Sequence, residues 1–382
     1  MNAAPLGPED PTELGEFELL GRIGHGGMGQ VYLGESPGGE PAAVKVIKPS
    51  VVDSETRLRF AQEVEVLKTV WGPRIAAFMD ADPDADQPWL ATEYVDGPDL
   101  RKQVNTCGPL PTVLVASLGA TLAEALSGVH KQGLLHRDLK PANILLGPNG
   151  PKIIDFGLAV FTESSASLTA PNTVMGTPTC MAPEQANGVK PLLAPVDVYA
   201  LGAVLLYAAT GHYPFQADNI HALFHLITKP EAQADLTGVP EQLVPLLTAM
   251  LAYDATARPT LQSVVQQCRA VIEGEGLKVA QARRRLTAYT AATAPQESAP
   301  LEPAPLEPAP QESEPQESES QEVTPAPKAP AVSPATHTPT TVKADPAVAV
   351  RRPARAPQVR HSAQARRVAQ QLRETYAQRA KF

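Results

Sequence analysis

The sequence changes character after residue 294, and this change confines any packed core to the part of the chain before it. Beyond that point LEPAP occurs twice in succession, at 301–305 and 306–310, and QES occurs three times, at 296–298, 311–313 and 316–318. Most of the excess among the 40 prolines, roughly twice the usual share, lies there. Alternating proline and glutamate cannot bury enough apolar surface to offset the entropy lost on ordering. Residues 295–345 are therefore predicted to be an extended, disordered linker.

Charge separates this linker from the tail that follows it. Residues 295–345 carry nine acidic residues against two lysines, whereas residues 346–382 carry eight arginines and one lysine against one glutamate. Val368, Leu372 and Tyr376 recur at four-residue steps, which is compatible with a helix. This basic tail could contact anionic surfaces such as lipid, nucleic acid or an acidic protein face. A solvated end without a ligand stays open as the alternative.

No targeting or membrane-spanning segment is expected. Residues 1–16 lack the basic and apolar regions of a secretion signal and are predicted to be a flexible N-terminus. The apolar stretch 192–210 resembles a short membrane span, but Asp197 lies inside it, so a buried core helix is the better interpretation. The three cysteines form no CxxC pair, which fits a reducing compartment. A soluble, cytoplasmic protein without a transmembrane segment is predicted.

Residues 17–273 have the element order of an α+β domain with two unequal lobes. Strand-like segments over 17–47 are separated by turns, a helix with Ser54 as candidate cap follows, and 89–95 is a further apolar strand. Helices dominate from there onward and are predicted at 112–132, 192–210, 220–227, 240–251 and, as a terminal helix, 274–294. A small β-rich N-terminal lobe and a larger helical C-terminal lobe are expected.

A glycine-rich segment joins the first two strands. Gly24, Gly26 and Gly29, followed by Val31, match the pattern G-x-G-x-x-G-x-V, in which missing side chains let backbone amides approach phosphate groups. Because the segment connects two strands and does not open a helix, a dinucleotide site of the Rossmann type is disfavoured. The pattern predicts a loop that covers the phosphates of a nucleotide.

Lys45, on the next strand, is the candidate partner for those phosphates. A strand lysine between Val44 and Val46 needs an anion on its own face, although a lysine that reaches to the surface is the alternative. Glu63 on the following helix is placed to pair with Lys45, and its rival Glu65 lies on another face of that helix. The sequence therefore predicts a Lys45–Glu63 ion pair.

Three later motifs complete a pattern that resembles a known family. His136-Arg137-Asp138-Leu139-Lys140-Pro141-Ala142-Asn143 resembles the catalytic loop of protein kinases, Asp155-Phe156-Gly157 resembles the metal-binding motif after it, and Ala182-Pro183-Glu184 resembles the end of the activation segment. In this order, and over about Phe17 to Cys268, the chain is similar to bacterial eukaryotic-like (Hanks-type) serine/threonine protein kinases. The resemblance implies a bilobal protein-kinase fold.

The resemblance also assigns roles to the polar residues of these motifs. Asp138 would accept or orient the proton of the substrate hydroxyl, and Lys140 would neutralise the γ-phosphate, which favours serine and threonine substrates. Asn143 and Asp155 would hold Mg²⁺, for which Mn²⁺ could substitute. Thr177 resembles the threonine that links the substrate to the catalytic loop.

An adenine pocket is implied in the same way. The backbones of Glu93 and Val95 would bond the adenine at a hinge, and Lys45 would hold the α- and β-phosphates of ATP. Four apolar side chains would enclose the ring, although ordinary core packing is the alternative for each; they are Ile23, Val31, Ala43 and Leu145.

Regulation through the activation segment is expected from Arg137. In kinases with an arginine before the catalytic aspartate, that arginine binds a phosphorylated residue of the segment. Thr169 and Thr173 are the candidate autophosphorylation sites, and self-association would allow the reaction in trans. A solvated loop rich in serine and threonine is the alternative.

Two functional hypotheses follow. The first is an ATP-dependent serine/threonine kinase that acts on protein substrates. The second is a pseudokinase, a scaffold that acts through its tail. Pseudokinases usually lack one of three charged groups, and Lys45, Asp138 and Asp155 are all present here, which favours the first hypothesis.

Overall fold

The computed structural model describes four stretches of the chain, all within the first of two units, Met1–Glu302 and Pro303–Phe382. The described residues are 3–26, 29–48, 54–156 and 178–293. The segment 157–177, which contains Thr169, Thr173 and Thr177, lies outside them, as do the predicted linker and basic tail.

Strands come first and helices later in the described part of the chain, as an α+β domain of two lobes requires. The strands are β1 (Glu13–Leu14), β2 (Phe17–Gly26), β3 (Gly29–Glu35), β4 (Pro41–Ile47), β5 (Phe78–Asp82), β6 (Trp89–Glu93), β7 (Ile144–Gly147) and β8 (Gly150–Ile153). The α-helices are α1 (Ser54–Leu67), α2 (Leu100–Cys107), α3 (Thr112–Lys131), α4 (Pro183–Ala186), α5 (Pro195–Thr210), α6 (Ile220–Thr228), α7 (Val244–Met250), α8 (Leu261–Gly274) and α9 (Val279–Thr293).

The smaller lobe is a six-stranded antiparallel sheet in the order β1-β2-β3-β4-β6-β5, with α1 between β4 and β5 along the chain. Successive side chains of a strand alternate between the two faces of a sheet. On β4, Ala42, Val44 and Val46 are buried on one face, while Lys45 on the other face is half-buried. Val31 lies directly opposite Lys45 and so shares its face. The alternation therefore places Lys45 on the face opposite to Val44 and Val46, as predicted. We call this less buried face, which also carries Val31, the open face of the sheet.

The opposite face of the sheet, which carries Val44 and Val46, is the closed face, and the N-terminal segment packs against it. Phe17, Tyr32 and Trp89 form a buried cluster on this face, and Leu6 and Leu14 pack against it. These contacts differ from the flexible N-terminus that was predicted for residues 1–16. Contacts between residues far apart in sequence leave no periodic pattern, so the sequence did not indicate them.

Asp10 holds this segment in place. Its carboxylate accepts hydrogen bonds from the Arg22 guanidinium at 2.5 and 2.8 Å, from the Tyr32 hydroxyl at 2.8 Å and from the Gly7 N–H at 2.7 Å. Ala4 and Arg22 exchange two backbone hydrogen bonds of 2.8 and 2.7 Å. The Arg22 hydrogen bonds lower the pKa of Asp10, so the carboxylate stays ionised below the usual titration range of aspartate.

Replacement of Asp10 by alanine should release this segment from β2. We expect faster hydrogen exchange at the amides of Ala4 and Arg22, because their mutual bonds lose the ion pair that supports them. The amide of Lys45, inside the sheet, serves as the internal control and should exchange at an unchanged rate. Mass spectrometry of deuterium uptake measures both, and equal uptake by wild type and variant at Ala4 and Arg22 would contradict the assignment.

The larger lobe is built around two apolar helices. By length and composition α3 is long and apolar enough to cross a membrane, but 67% of its apolar window is buried inside the fold. The shorter helix α5 is buried on nearly all sides, which explains the apolar stretch 192–210. The predicted core helix is thus confirmed, and it begins at Pro195, the first-turn position that proline prefers.

Three described α-helices were not predicted, α2, α4 and α8, and α2 and α8 begin at a side-chain cap. Asp99 precedes α2 and accepts a hydrogen bond from the Lys102 N–H at 2.9 Å. Thr260 precedes α8 and accepts one from the Ser263 N–H at 3.2 Å. Caps of this type satisfy the free N–H groups at the start of a helix. The terminal helix predicted at 274–294 is observed as α9, whose Leu286 reaches the main core.

Candidate active site

A buried carboxylate holds the backbone at the start of the catalytic loop, residues 136–143. Asp197 of α5 is completely buried and accepts hydrogen bonds from the backbone N–H of His136 at 2.8 Å and of Arg137 at 2.9 Å. The ring of His130, at the end of α3, lies 2.7 Å from the same carboxylate. Burial opposes ionisation, but the hydrogen bond from His130 and the neighbouring imidazoles outweigh it, so the pKa of Asp197 lies below its ordinary value. Asp197 therefore braces the backbone of the loop.

Two residues next to the reacting groups have a left-handed backbone. Arg137 has φ +64° and Asp155 has φ +63°, which L residues with a Cβ rarely adopt. Such positions cost about 1–3 kcal/mol each and persist where the surroundings over-determine them. For Arg137 the surroundings are the bond to Asp197 and a hydrogen bond from the Gln185 amide to its carbonyl at 2.8 Å.

Asp138, Lys140 and Asn143 converge at the front of the loop. The Lys140 ammonium lies 2.6 Å from Oδ2 of Asp138. The Asn143 amide donates to the Asp138 carbonyl at 2.8 Å, which closes the loop on itself. Within the described residues Oδ1 of Asp138 accepts no hydrogen bond, and the side chain is about one-third exposed at 35%. The contact with Lys140 thus orients the carboxylate and leaves Oδ1 without a partner among the described residues.

A second set of contacts ties the catalytic loop to Asp155. The Asn143 carbonyl accepts a hydrogen bond from the Ile154 N–H at 3.0 Å. The buried His136 ring lies 3.1 Å from the Ile154 carbonyl and packs on Phe156 with ring centroids 4.5 Å apart. The His136 ring thus supports the loop, and its contacts join the two motifs.

Lys45 pairs with Asp155, and the predicted Lys45–Glu63 ion pair is wrong. The Lys45 ammonium lies 2.8 Å from Oδ2 of Asp155. Glu63 contacts Arg137 instead, with Oε1 3.2 Å from the guanidinium. Burial opposes ionisation of Asp155, but the Lys45 charge outweighs it and the pKa of Asp155 is lowered.

The place where α1 is attached to the rest of the lobe accounts for the difference. Helical periodicity identifies which residues of α1 share a face, but it does not fix how the whole helix is turned or shifted against the sheet. The first turn of α1 is attached to the β5–β6 turn, where the Arg57 guanidinium donates to the carbonyls of Pro83 at 2.8 Å and Ala85 at 2.7 Å. In this position of the helix, Glu63 faces the catalytic loop and Lys45 faces Asp155.

Of the four predicted apolar pocket residues, three lie on the six-stranded sheet, and Leu145 lies on β7 of the two-stranded sheet. Ile23, Val31, Ala43 and Leu145 are each only half-buried, which suits side chains that flank a ligand better than core residues. Gly24 and Gly26 lie on β2 and Gly29 opens β3. A Cβ at Gly29 would collide with the Val46 carbonyl, so packing alone requires glycine there.

The predicted hinge residues lie at the end of β6, where Glu93 is the last residue of the strand and Val95 follows it. The Glu93 N–H donates to the Ala77 carbonyl at 2.8 Å and the Tyr94 N–H to the Pro41 carbonyl at 3.3 Å. The Val95 N–H makes no hydrogen bond within the described part of the chain. A free N–H at the edge of a half-buried apolar cleft is the kind of group that a base edge requires.

Sequence reasoning missed a residue behind the hinge. The Lys152 ammonium of β8 lies 2.5 and 2.6 Å from the two carboxylate oxygens of Glu93. Lys152 stands three residues before Asp155, and a lone lysine in a short strand gave no signal of its own. His130 and Gln185 were missed for the same reason, because each acts through a partner distant in sequence.

Asn143 and Asp155 fit a magnesium ion. The amide oxygen of Asn143 and Oδ1 of Asp155 accept no hydrogen bond from the described residues, and hard oxygen ligands of this kind are those that Mg²⁺ prefers. No group of three or more histidine, cysteine, aspartate or glutamate side chains that could hold a metal occurs among the described residues. The donor set therefore fits an ion that keeps water or phosphate as its other ligands.

Arg258 and Glu184, the last residue of the Ala182-Pro183-Glu184 motif, form an ion pair. The buried guanidinium contacts both carboxylate oxygens, at 2.7 and 2.8 Å, and also donates to the Pro195 carbonyl at 2.9 Å. It lies over the Tyr199 ring, 5.0 Å from its centroid. Bidentate pairing and stacking suit arginine and not lysine. The pair anchors α4 to α5.

Known proteins with similar sequences and structures match most of this part of the chain. The family model of the protein kinase domain matches residues 17–268. The serine/threonine-protein kinase AfsK of Streptomyces coelicolor is 43% identical over 273 residues, which cover 71% of this chain and 34% of that protein. The probable serine/threonine-protein kinase PkwA of Thermomonospora curvata is 45% identical over 265 residues, with 69% and 35% covered. The chain spans about a third of the length of these curated relatives.

A solved structure supports the fold alone. Rad53 residues 1–466 in complex with AMP-PNP match with a TM-score of 0.56 at 24% identity, over 67% of this chain and 65% of that one. Together with the matched family model and the geometry of Lys45, Asp138 and Asp155, these likenesses confirm the predicted resemblance: the chain belongs to the protein kinase family, among the bacterial eukaryotic-like serine/threonine kinases.

Proposed function

We propose that the chain is an ATP-dependent kinase that transfers the γ-phosphate of ATP to serine and threonine hydroxyls of protein substrates. This proposal rests on the hydrogen bonds that connect the catalytic loop to the segment around Asp155. Asn143 bonds both the Asp138 carbonyl and the Ile154 N–H, so the candidate base and the metal-binding Asp155 are held in one unit. A scaffold without turnover has no need of this arrangement, which weighs against the pseudokinase alternative.

Catalysis of phosphoryl transfer depends more on positioning and charge neutralisation than on covalent chemistry by the protein. Asp138 orients the substrate hydroxyl and takes its proton at Oδ1, which accepts no hydrogen bond from the described residues. Lys140 stabilises the transferred group. Lys45 holds the phosphates next to Asp155. Mg²⁺, held by Asn143 and Asp155, would neutralise charge on the phosphates when bound, and Mn²⁺ could take the same oxygen ligands. Thr177 would position the substrate against the loop.

The adenine is proposed to lie between Ile23, Val31, Ala43 and Leu145, bonded to the backbones of Glu93 and Val95. If the protein binds no nucleotide, the proposed adenine site is wrong, and phosphate transfer need not be measured. Isothermal titration with the non-hydrolysable analogue AMP-PNP and Mg²⁺ tests it. Binding that disappears in Lys45→Met but persists in Lys229→Met, at an exposed lysine of the larger lobe, is the expected result.

Regulation is proposed to act through Arg137. Its guanidinium contacts Glu63, and a phosphate on the segment 157–177 would compete for the same guanidinium with higher charge. Release of Glu63 would then allow it to approach Lys45. From the sequence alone we also propose a cytoplasmic location and self-association that allows autophosphorylation in trans. Contacts of the basic tail with anionic surfaces are proposed on the same basis.

Loss of the candidate phosphorylation sites should therefore remove activation. We expect the double variant Thr169→Ala/Thr173→Ala to bind AMP-PNP normally but to phosphorylate a peptide substrate at least about tenfold more slowly than the autophosphorylated wild type, since a phosphate creates one to three charge-assisted hydrogen bonds. Dephosphorylated wild type provides the control and should be as slow as the variant. A segment that mass spectrometry shows to be unmodified while the enzyme is fully active would contradict this mechanism.

A further inference from the structure

The contact behind the hinge suggests a role that the catalytic motifs do not include. Glu93 contributes its backbone to the proposed adenine site, but its side chain points away and is held by two donors. These are the Lys152 ammonium, at 2.5 and 2.6 Å, and the Ala77 N–H, at 3.3 Å. The Glu93 N–H in turn donates to the Ala77 carbonyl at 2.8 Å. Residue 93 is thus fixed at both its backbone and its side chain.

Lys152 is placed to connect three parts of the cleft. In the β7–β8 hairpin it lies directly opposite Leu145, the proposed floor of the adenine pocket. β8 ends at Ile153, and Asp155 follows two residues later. The adjacent Ile153 exchanges backbone hydrogen bonds with the loop before β5, from its N–H to the Arg74 carbonyl at 2.8 Å and from the Ala76 N–H to its carbonyl at 3.0 Å. The strand that carries Lys152 is therefore rigidly seated.

The ion pair is of the stronger kind for a partly exposed site. The Lys152 side chain is 15% exposed and that of Glu93 37%, so water screens the pair only in part. Both carboxylate oxygens are engaged by one ammonium group, which restricts the rotation of the Glu93 side chain. A displacement of the hinge backbone would have to break this contact.

We propose that Lys152 is a positioning residue for adenine recognition. Because Lys152 holds the Glu93 carboxylate, it fixes the position of the hinge backbone relative to Leu145, the proposed floor of the adenine pocket. This inference rests on the proposed use of ATP. It assigns Lys152 no contact with the nucleotide and no part in phosphoryl transfer. Its effect should therefore fall on base recognition and leave phosphate recognition unchanged.

Two small ligands separate these effects. Adenosine carries the base without phosphates, and inorganic tripolyphosphate carries the phosphates without the base. In Lys152→Met we expect the Kd for adenosine to rise about fivefold, as suits loss of a partly screened ion pair. The inhibition constant for tripolyphosphate, and kcat at saturating ATP, should stay within about twofold, because uniform binding is lost and transition-state stabilisation is not.

Conservative and remote variants provide the controls. Lys152→Arg keeps the charge and should restore most of the adenosine affinity, whereas Lys229→Met, at an exposed lysine in the larger lobe, should change neither ligand. Thermal unfolding of each variant checks that the fold is retained. If Lys152→Met binds adenosine as the wild type does, or weakens adenosine and tripolyphosphate equally, the inference is overturned. A wild type that binds neither ligand would instead refute the proposed function.

Discussion

Asp138→Asn is expected to lower kcat for phosphoryl transfer by about 10²- to 10⁴-fold, the usual contribution of a positioned general base. Asparagine has the size of aspartate, and the Asn143 amide can still donate to the backbone carbonyl of residue 138, so the loop should keep its shape. What is lost is the negative charge that pairs with Lys140 at 2.6 Å and a carboxylate oxygen that could accept the proton of the substrate. The structure therefore predicts a loss of turnover with nucleotide binding retained.

Steady-state kinetics with a serine- or threonine-containing peptide measures this change, and AMP-PNP titration measures binding. Asp218→Asn, at an exposed aspartate before α6, is the matched control and should behave as the wild type. A variant that kept kcat would mean that Asp138 neither orients nor deprotonates the substrate. A variant that lost binding as well would place Asp138 in a structural role.

Asp197→Ala is expected to lower the free energy of unfolding by about 3–5 kcal/mol, because it removes a fully buried charge from its partners. The N–H groups of His136 and Arg137 and the ring of His130 would all lose their acceptor at once. Buried donors without partners are costly. Activity should fall with stability, since the left-handed backbone at Arg137 depends on this carboxylate.

Urea unfolding of wild type, Asp197→Ala and Asp197→Asn measures the effect, with the asparagine variant between the other two because it keeps one acceptor. His130→Ala serves as a partial control, since it removes one of the three partners. An Asp197→Ala variant as stable as the wild type would contradict the bracing role.

The same carboxylate predicts a direction of pH dependence. The pKa of Asp197 is lower in the folded state than in the unfolded chain, where aspartate titrates at about 3.9. Its contribution to stability is therefore fully present above that unfolded pKa and is lost as the pH falls through the lower folded pKa. Acid unfolding of the wild type should show this loss, and Asp197→Ala should lack the corresponding part.

The sequence predicted those features that depend on local pattern or on a matched motif. Alternation along β4 placed Lys45 on the open face, and the motifs identified Asp138, Asn143 and Asp155 before any geometry was known. The buried helix at 192–210 was recognised because a charge inside an apolar run excludes lipid. Each of these conclusions needs only neighbours in the sequence or a pattern of known meaning.

The features that sequence reasoning missed are contacts between distant residues. Glu63 was assigned to Lys45, but the position of α1 against the sheet depends on Arg57 and the β5–β6 turn, and Glu63 contacts Arg137 instead. The Asp10–Arg22 and Glu93–Lys152 pairs leave no periodic signal, because their spacing follows from how strands pair. Tertiary packing, and not helix or strand propensity, decides such partners.

Label transfer from ATP tests the central claim most directly. The chain is incubated with Mg²⁺, a protein substrate mixture, and ATP labelled either in the γ- or in the α-phosphate, and wild type is compared with Asp138→Asn. We predict label from the γ-position only, on serine and threonine, in the wild type and not in Asp138→Asn. Equal incorporation by both proteins, incorporation from the α-position, or none from either position in a wild type that binds AMP-PNP would contradict the assignment of this chain as a serine/threonine kinase.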